Sequence, residues 1–166
     1  MRNHLPMFVI CFALVGCGSH SEGGMSGPTI SSRVGKQDVS GLQSSDIMDR
    51  SRQTKRSKVR HVLIGWRDLE GAYGGRMDAR AKKRSRRDAE RATRAVFKRA
   101  TSGTRFLNLM ATYSEDRGSN MNGQAYVVTP GAKFAKPFVR MGLRLKVGEV
   151  GIVQTQFGWH IMKRLE

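Results

Sequence analysis

The chain has 166 residues, 39% hydrophobic and 26% charged, with 30 Lys+Arg against 13 Asp+Glu and a formal net charge of +17. That length allows one domain with appendages rather than two domains, and the charge directs the protein toward polyanionic or acidic surfaces without fixing a fold. Both cysteines, Cys11 and Cys17, precede residue 18, which excludes a disulfide framework, a zinc knuckle and a cysteine nucleophile from the rest of the chain.

Residues 1–17, MRNHLPMFVICFALVGC, carry one basic residue, Arg2, followed by an apolar run from Leu5 to Gly16. Twelve residues at ~1.5 Å each reach ~18 Å, short of the ~30 Å hydrocarbon core of a bilayer. A basic start, an apolar centre and small residues at the end make up a secretory signal peptide, predicted over residues 1–16. The ending Leu14-Val15-Gly16-Cys17 resembles the bacterial lipobox. That resemblance implies cleavage before Cys17 and a lipid on its sulfur; the alternative is an ordinary secreted protein. An acylated cysteine anchors stably when it carries more than one chain, each buried CH2 contributing about 0.8 kcal/mol. Gly18 stands where aspartate would signal inner-membrane retention, so the expected location is the outer membrane, facing the periplasm.

Residues 17–57 are rich in Gly, Ser and charge. No apolar period persists there, so burial does not offset the entropy of ordering the segment. It reads as a flexible tether of roughly 40 residues, with a reach on the order of 35 Å, in which only Ile47-Met48 suggests the start of a short helix.

The folded domain is predicted over residues 58–166. Lys58 to Ile64 is β-branched, turns apolar and stops at Gly65, as a core strand does. Arg67 to Arg76 contains three glycines and reads as a loop. Asp78 is placed to cap a helix running to Ala100, whose Ala89, Ala92, Val96 and Ala100 step by three and four along one narrow face. Gly103 ends it. Phe106, Leu107, Leu109 and Met110 begin a second helix, a polar loop covers Gly118 to Gly123, and Gln124 to Thr129 reads as a strand. Pro137 to Leu145 is a helix with proline in its first turn; Val150 to Thr155 and Trp159 to Leu165 are strands. This order gives an α+β domain with a mostly antiparallel sheet.

The stretch from Val59 to Glu166 resembles a parvulin-type peptidyl-prolyl isomerase domain. The resemblance rests on VRHVLI, FLNLMATYSED, the KPF that ends Gly131 to Phe138, Val147-Gly148-Glu149-Val150 and FGWHIMKRLE. It implies a four-stranded antiparallel sheet wrapped by about four helices, with the active site on the sheet. It assigns His61 and His160 as the paired histidines, Asp116 to the position of a cysteine or aspartate, and Thr155 to a hydroxyl in their network. Phe134 and Phe138 match the pair lining the proline pocket, Ala125 a wall position, and Phe157 the aromatic before Gly-X-His. The chain departs from the family at Gly123-Gln124-Ala125-Tyr126, where a leucine and a glycine are usual, and by one extra residue between Gly131 and Pro137.

Isomerisation breaks no bond; it rotates an amide over a barrier of ~18–20 kcal/mol. Such a site grips the proline ring in an apolar pocket and places polar groups where the twisted amide needs them. Phe134 and Phe138 suit the first task; Asp116, His61 and His160 suit the second, with Asp116 an electrostatic partner of the carbonyl rather than a nucleophile. Taken without the family, the histidines read first as satisfied core residues holding two strands in register; with it, both readings stand. No third ligand has metal-site spacing and no G-x-S-x-G elbow exists, so neither metal nor cofactor is expected. Ten Lys/Arg between Arg80 and Arg99 form a basic helix, either a merely solvated face or a contact for anionic lipid phosphates. The expected partners are proline-containing exported polypeptides, with an acidic residue before proline; the export signal argues against nucleic acid. The expected function is a lipid-anchored prolyl isomerase assisting the folding of exported proteins. Its alternatives are a peptide-binding chaperone or scaffold of weak turnover, and a polyanion-binding envelope protein that uses residues 80–99.

Overall fold

A computed structural model describes residues 41–166; the expected signal peptide, Cys17 and the tether up to residue 40 lie outside the described residues. Four strands, β1 (Ser57–Ile64), β2 (Tyr126–Val128), β3 (Val150–Thr155) and β4 (Gly158–Arg164), form one sheet in the order β2-β1-β4-β3. Every pairing is antiparallel. The β3–β4 turn depends on Gly158, whose φ of 132° and closeness to the Ile64 carbonyl leave no room for a side chain.

Side chains alternate across the sheet, and each face acquires its own core. On one face, Val62, Ile64, Ile152, Trp159 and Ile161 pack under α3 (Arg86–Thr101) and α4 (Phe106–Tyr113). α3 contributes Ala89, Val96 and Ala100, and α4 contributes Phe106, Leu109 and Met110. On the other face, Val59, Val153 and Met162 pack under α6 (Lys136–Arg144) with Phe138, Met141 and Leu143. β4 shows the division residue by residue: Trp159 and Ile161 join the first core, Met162 the second.

Three elements differ from the sequence reading. The helix expected from Asp78 to Ala100 is two helices, α2 (Ala79–Lys83) and α3, because Ser85 caps a new one. Its hydroxyl accepts from the Asp88 N–H while the Asp88 carboxylate accepts from Ser85, a capping box. The expected loops at 67–76 and 118–123 contain a 3-10 helix (Arg67–Tyr73) and α5 (Arg117–Asn122). Capping by the Asp116 carboxylate on the Gly118 N–H, 3.2 Å, starts α5 where propensity alone does not.

The tether also ends well before residue 57. Leu42, Ile47 and Met48 are buried, the last two in α1 (Ser45–Met48) beneath α6. Ser44 straps the edge of β3: its N–H donates to the Ile152 carbonyl at 2.9 Å and its hydroxyl accepts from the Ile152 N–H at 3.0 Å. Arg50 then locks the segment with a two-pronged bond to Glu149, 2.6 and 2.7 Å. Three irregularly spaced apolar residues leave no periodic trace, which is why composition reads this stretch as tether.

Candidate active site

Strand register creates the site. His61 pairs with Met162 and Leu63 with His160, so the two histidines are diagonal neighbours on one face of adjacent strands. Their rings stack 5.1 Å apart at an angle of 9°, with the two Nδ1 atoms at 2.9 Å. His61 Nε2 reaches Asp116 Oδ2 at 2.8 Å, and Thr155 Oγ1 lies 2.8 Å from His160 Nε2. Asp116 arrives from the end of the α4–α5 connection, held by its capping bond to Gly118.

The ends of this chain fix its direction. The Phe157 N–H donates to Thr155 Oγ1 at 3.1 Å, and the Asp116 carboxylate only accepts. With both imidazoles neutral, the Thr155 hydroxyl donates to His160 Nε2, His160 Nδ1–H to His61 Nδ1, and His61 Nε2–H to Asp116. Burial, reinforced by the neighbouring His61, holds His160 well below the ordinary histidine range against the opposing pull of Asp116. Burial would also push the Asp116 carboxyl up; the hydrogen bond and electrostatic attraction of His61, with help from the Tyr126 and Ser119 hydroxyls, outweigh it and hold the group far below the carboxylate range.

Beside this network lies a cavity of about 860 Å³. Phe138 forms its floor, its ring edge-on to both histidines at 5.2 Å. Phe134 packs on Phe138 at 5.3 Å, and Phe157 lines the cavity against Tyr73. The Tyr73 hydroxyl bonds the Phe157 carbonyl and so ties the 3-10 helix to the β3–β4 turn. Arg76, Arg117 and Lys133 also line the cavity.

Seven of the sequence-derived residues therefore converge: His61, Asp116, Thr155 and His160 in the network, and Phe134, Phe138 and Phe157 in the walls. Ala125 does not line the cavity; Tyr126, one residue on, occupies that wall. Tyr126 pairs with Val59 in the register that carries His61 on the same face two residues later; counting alternate residues back from the strand would have found it. Tyr73 gave no signal, being in a segment read as loop. Glu115, the neighbour of Asp116, also lay unnoticed: its carboxylate accepts from the Gly65 N–H at 2.6 Å and from Arg84 at 2.5 Å. Burial pushes the Glu115 carboxyl above its ordinary range despite both partners.

Among the described residues, five of the ten Lys/Arg in the run from Arg80 to Arg99 are ion-paired. Arg80 meets Asp78, Lys82 meets Glu70, Arg84 meets Glu115, Arg86 meets Glu90 and Arg91 meets Asp88.

An aromatic notch beside a histidine pair, on the open face of a four-stranded antiparallel sheet, defines a parvulin-type rotamase domain. Residues 44–166 match the family described as the PPIC-type PPIASE domain, and the chain belongs to that family of peptidyl-prolyl isomerase domains. Foldase protein PrsA of Geobacillus kaustophilus (strain HTA426) is 36% identical over 75 residues, which are 45% of this chain and 27% of that protein. The chain thus matches about a quarter of that relative's length. Among solved structures, TbPIN1 is similar at 26% identity and a TM-score of 0.55, covering 68% of this chain and 99% of that one. The peptidyl-prolyl isomerase ESS1 from Candida albicans shares the fold at 24% identity and a TM-score of 0.55, covering 68% and 63%.

Proposed function

We propose that this chain catalyses cis–trans isomerisation of X-Pro bonds in exported polypeptides and so assists their folding. One observation carries the reading: the Asp116–His61–His160–Thr155 network opens into the same cavity as the Phe134–Phe138 notch. The notch takes the pyrrolidine ring and releases water from it, while the rest of the peptide turns. As the amide twists it loses resonance, and its carbonyl and nitrogen change their hydrogen-bonding demands. Asp116, ionised and held still, presents a fixed charge to that change, and a preorganised charge needs no rearrangement as the barrier is crossed. The stacked histidines keep it so.

Arg76, Arg117 and Lys133 at the cavity support a preference for acidic residues before proline, since cations near a site draw and hold carboxylates. The chain is anchored to the outer membrane through lipidated Cys17 and faces the periplasm, a location supported by the lipobox-like Leu14-Val15-Gly16-Cys17.

A protease-coupled assay on X-Pro peptides carrying Glu, Lys or Leu before proline tests the reading. Turnover is expected, fastest with Glu. Asp116→Ala should lower kcat/KM at least tenfold while the circular dichroism spectrum stays native; full activity in that variant removes Asp116 from the mechanism, and no turnover in the parent chain removes the isomerase.

A further inference from the structure

Among the departures of this chain from its family pattern, Tyr126 is the one that touches the network. Its hydroxyl donates to Asp116 Oδ2 at 2.8 Å, the same oxygen that accepts from His61. Its ring stands edge-on to His61 at 5.4 Å and to Phe134 at 5.5 Å, so it bridges the polar network and the apolar notch. Space is kept for the hydroxyl by Gly118: a Cβ there would lie 3.0 Å from it. That glycine also supplies the N–H that holds Asp116 Oδ1. Both carboxylate oxygens thereby have a donor apart from histidine, one from the α5 backbone and one from β2.

We infer that Tyr126 is a positioning residue of this site: its phenol pins the Asp116 carboxylate against His61 and so holds in place the acceptor that sets the direction of the histidine chain. Hydrogen bonds from His61, Tyr126 and the Gly118 N–H hold the carboxylate from three sides. Without the phenol, Asp116 Oδ2 keeps one partner instead of two, and the acceptor that selects the Nε2–H form of His61 is held less firmly. The inference rests on the isomerase reading for its kinetic consequence, but the proton positions it predicts exist with or without turnover.

The test is Tyr126→Phe in the full chain, which keeps the ring and removes the hydroxyl. Loss of one hydrogen bond to a charged group should lower kcat roughly tenfold, with KM within about twofold of the parent because the notch wall is intact. The acid limb of the pH profile should move to higher pH, since a carboxylate with one donor fewer takes up a proton sooner. The other groups facing the site, namely the two histidines, Tyr73, Arg76, Glu115, Arg117 and Lys133, are unchanged in the variant. Gly118→Ala, which crowds the hydroxyl, should reproduce part of the loss and add nothing in the Tyr126→Phe background. In 15N-histidine spectra at neutral pH the parent should show His61 protonated at Nε2 and His160 at Nδ1, and Tyr126→Phe a mixture of His61 forms. Parent-like kcat, pH profile and nitrogen signals in Tyr126→Phe would reduce Tyr126 to a wall residue. A parent chain without turnover would sink the isomerase reading alone, and the nitrogen signals would still decide for or against Tyr126.

Discussion

The two faces of the sheet are built from the same four strands and differ in what they tolerate. The face under α3 and α4 is closed and apolar, with Val62, Trp159 and Ile161 fully buried. The opposite face is mixed: Val59, Val153 and Met162 pack beneath α6, and among them the same strands carry His61, His160 and Thr155. Every histidine on the open face has an apolar neighbour in sequence on the closed one. The closed face thus holds the strands rigid so that the open face can keep buried polar groups fixed in place. Glu115 and Asp116 repeat the contrast at the seam: adjacent in sequence, one braces the fold through Arg84 and Gly65, the other faces the cavity.

If that division is real, the largest stability loss should come from the bracing carboxylate. Glu115→Ala leaves the half-buried Arg84 guanidinium without its carboxylate, with only the Gly65 carbonyl as partner, and should lower the unfolding free energy by about 3–5 kcal/mol in urea titration; a loss near that of a surface substitution would erase the distinction from Asp116. Next comes the closed face, where Ile161→Ala should lower stability by about 2–5 kcal/mol and reduce kcat/KM only as far as it unfolds the chain. The smallest effect is the pH dependence of the open face. His160 is held below its ordinary value, so the unfolded chain binds a proton that the native one refuses, and the melting temperature should fall as pH drops below about 6.5. Asp116 is likewise depressed and adds a second loss below about pH 4. In Asp116→Asn that second loss should shrink, whereas the first remains.

Most of the fold was legible because β-branched runs and helix caps act locally. Lys58 to Ile64 and Val150 to Thr155 are strands in the sequence and in the structure, and Asp78 caps as its position predicts. Histidines on the final and first strands were also legible, since the residue types and their order carry the family pattern. What stayed hidden depends on contacts between distant segments. Ser85 and Asp88 spell a capping box that the run of basic residues obscures. The burial of Ile47 and Met48 needs α6 to exist first. In the sequence Tyr126 is only a departure from the family pattern; the strand register is what shows its hydroxyl meeting Asp116.

The Ser44 strap has a practical consequence for anyone handling this domain. A fragment begun at the first strand would leave the outer rim of β3 with open amides and carbonyls, a template on which a second molecule can add its own rim. Residues 42–50 are therefore the selvedge that keeps the sheet from unravelling into its neighbours, and any shortened version should begin ahead of them.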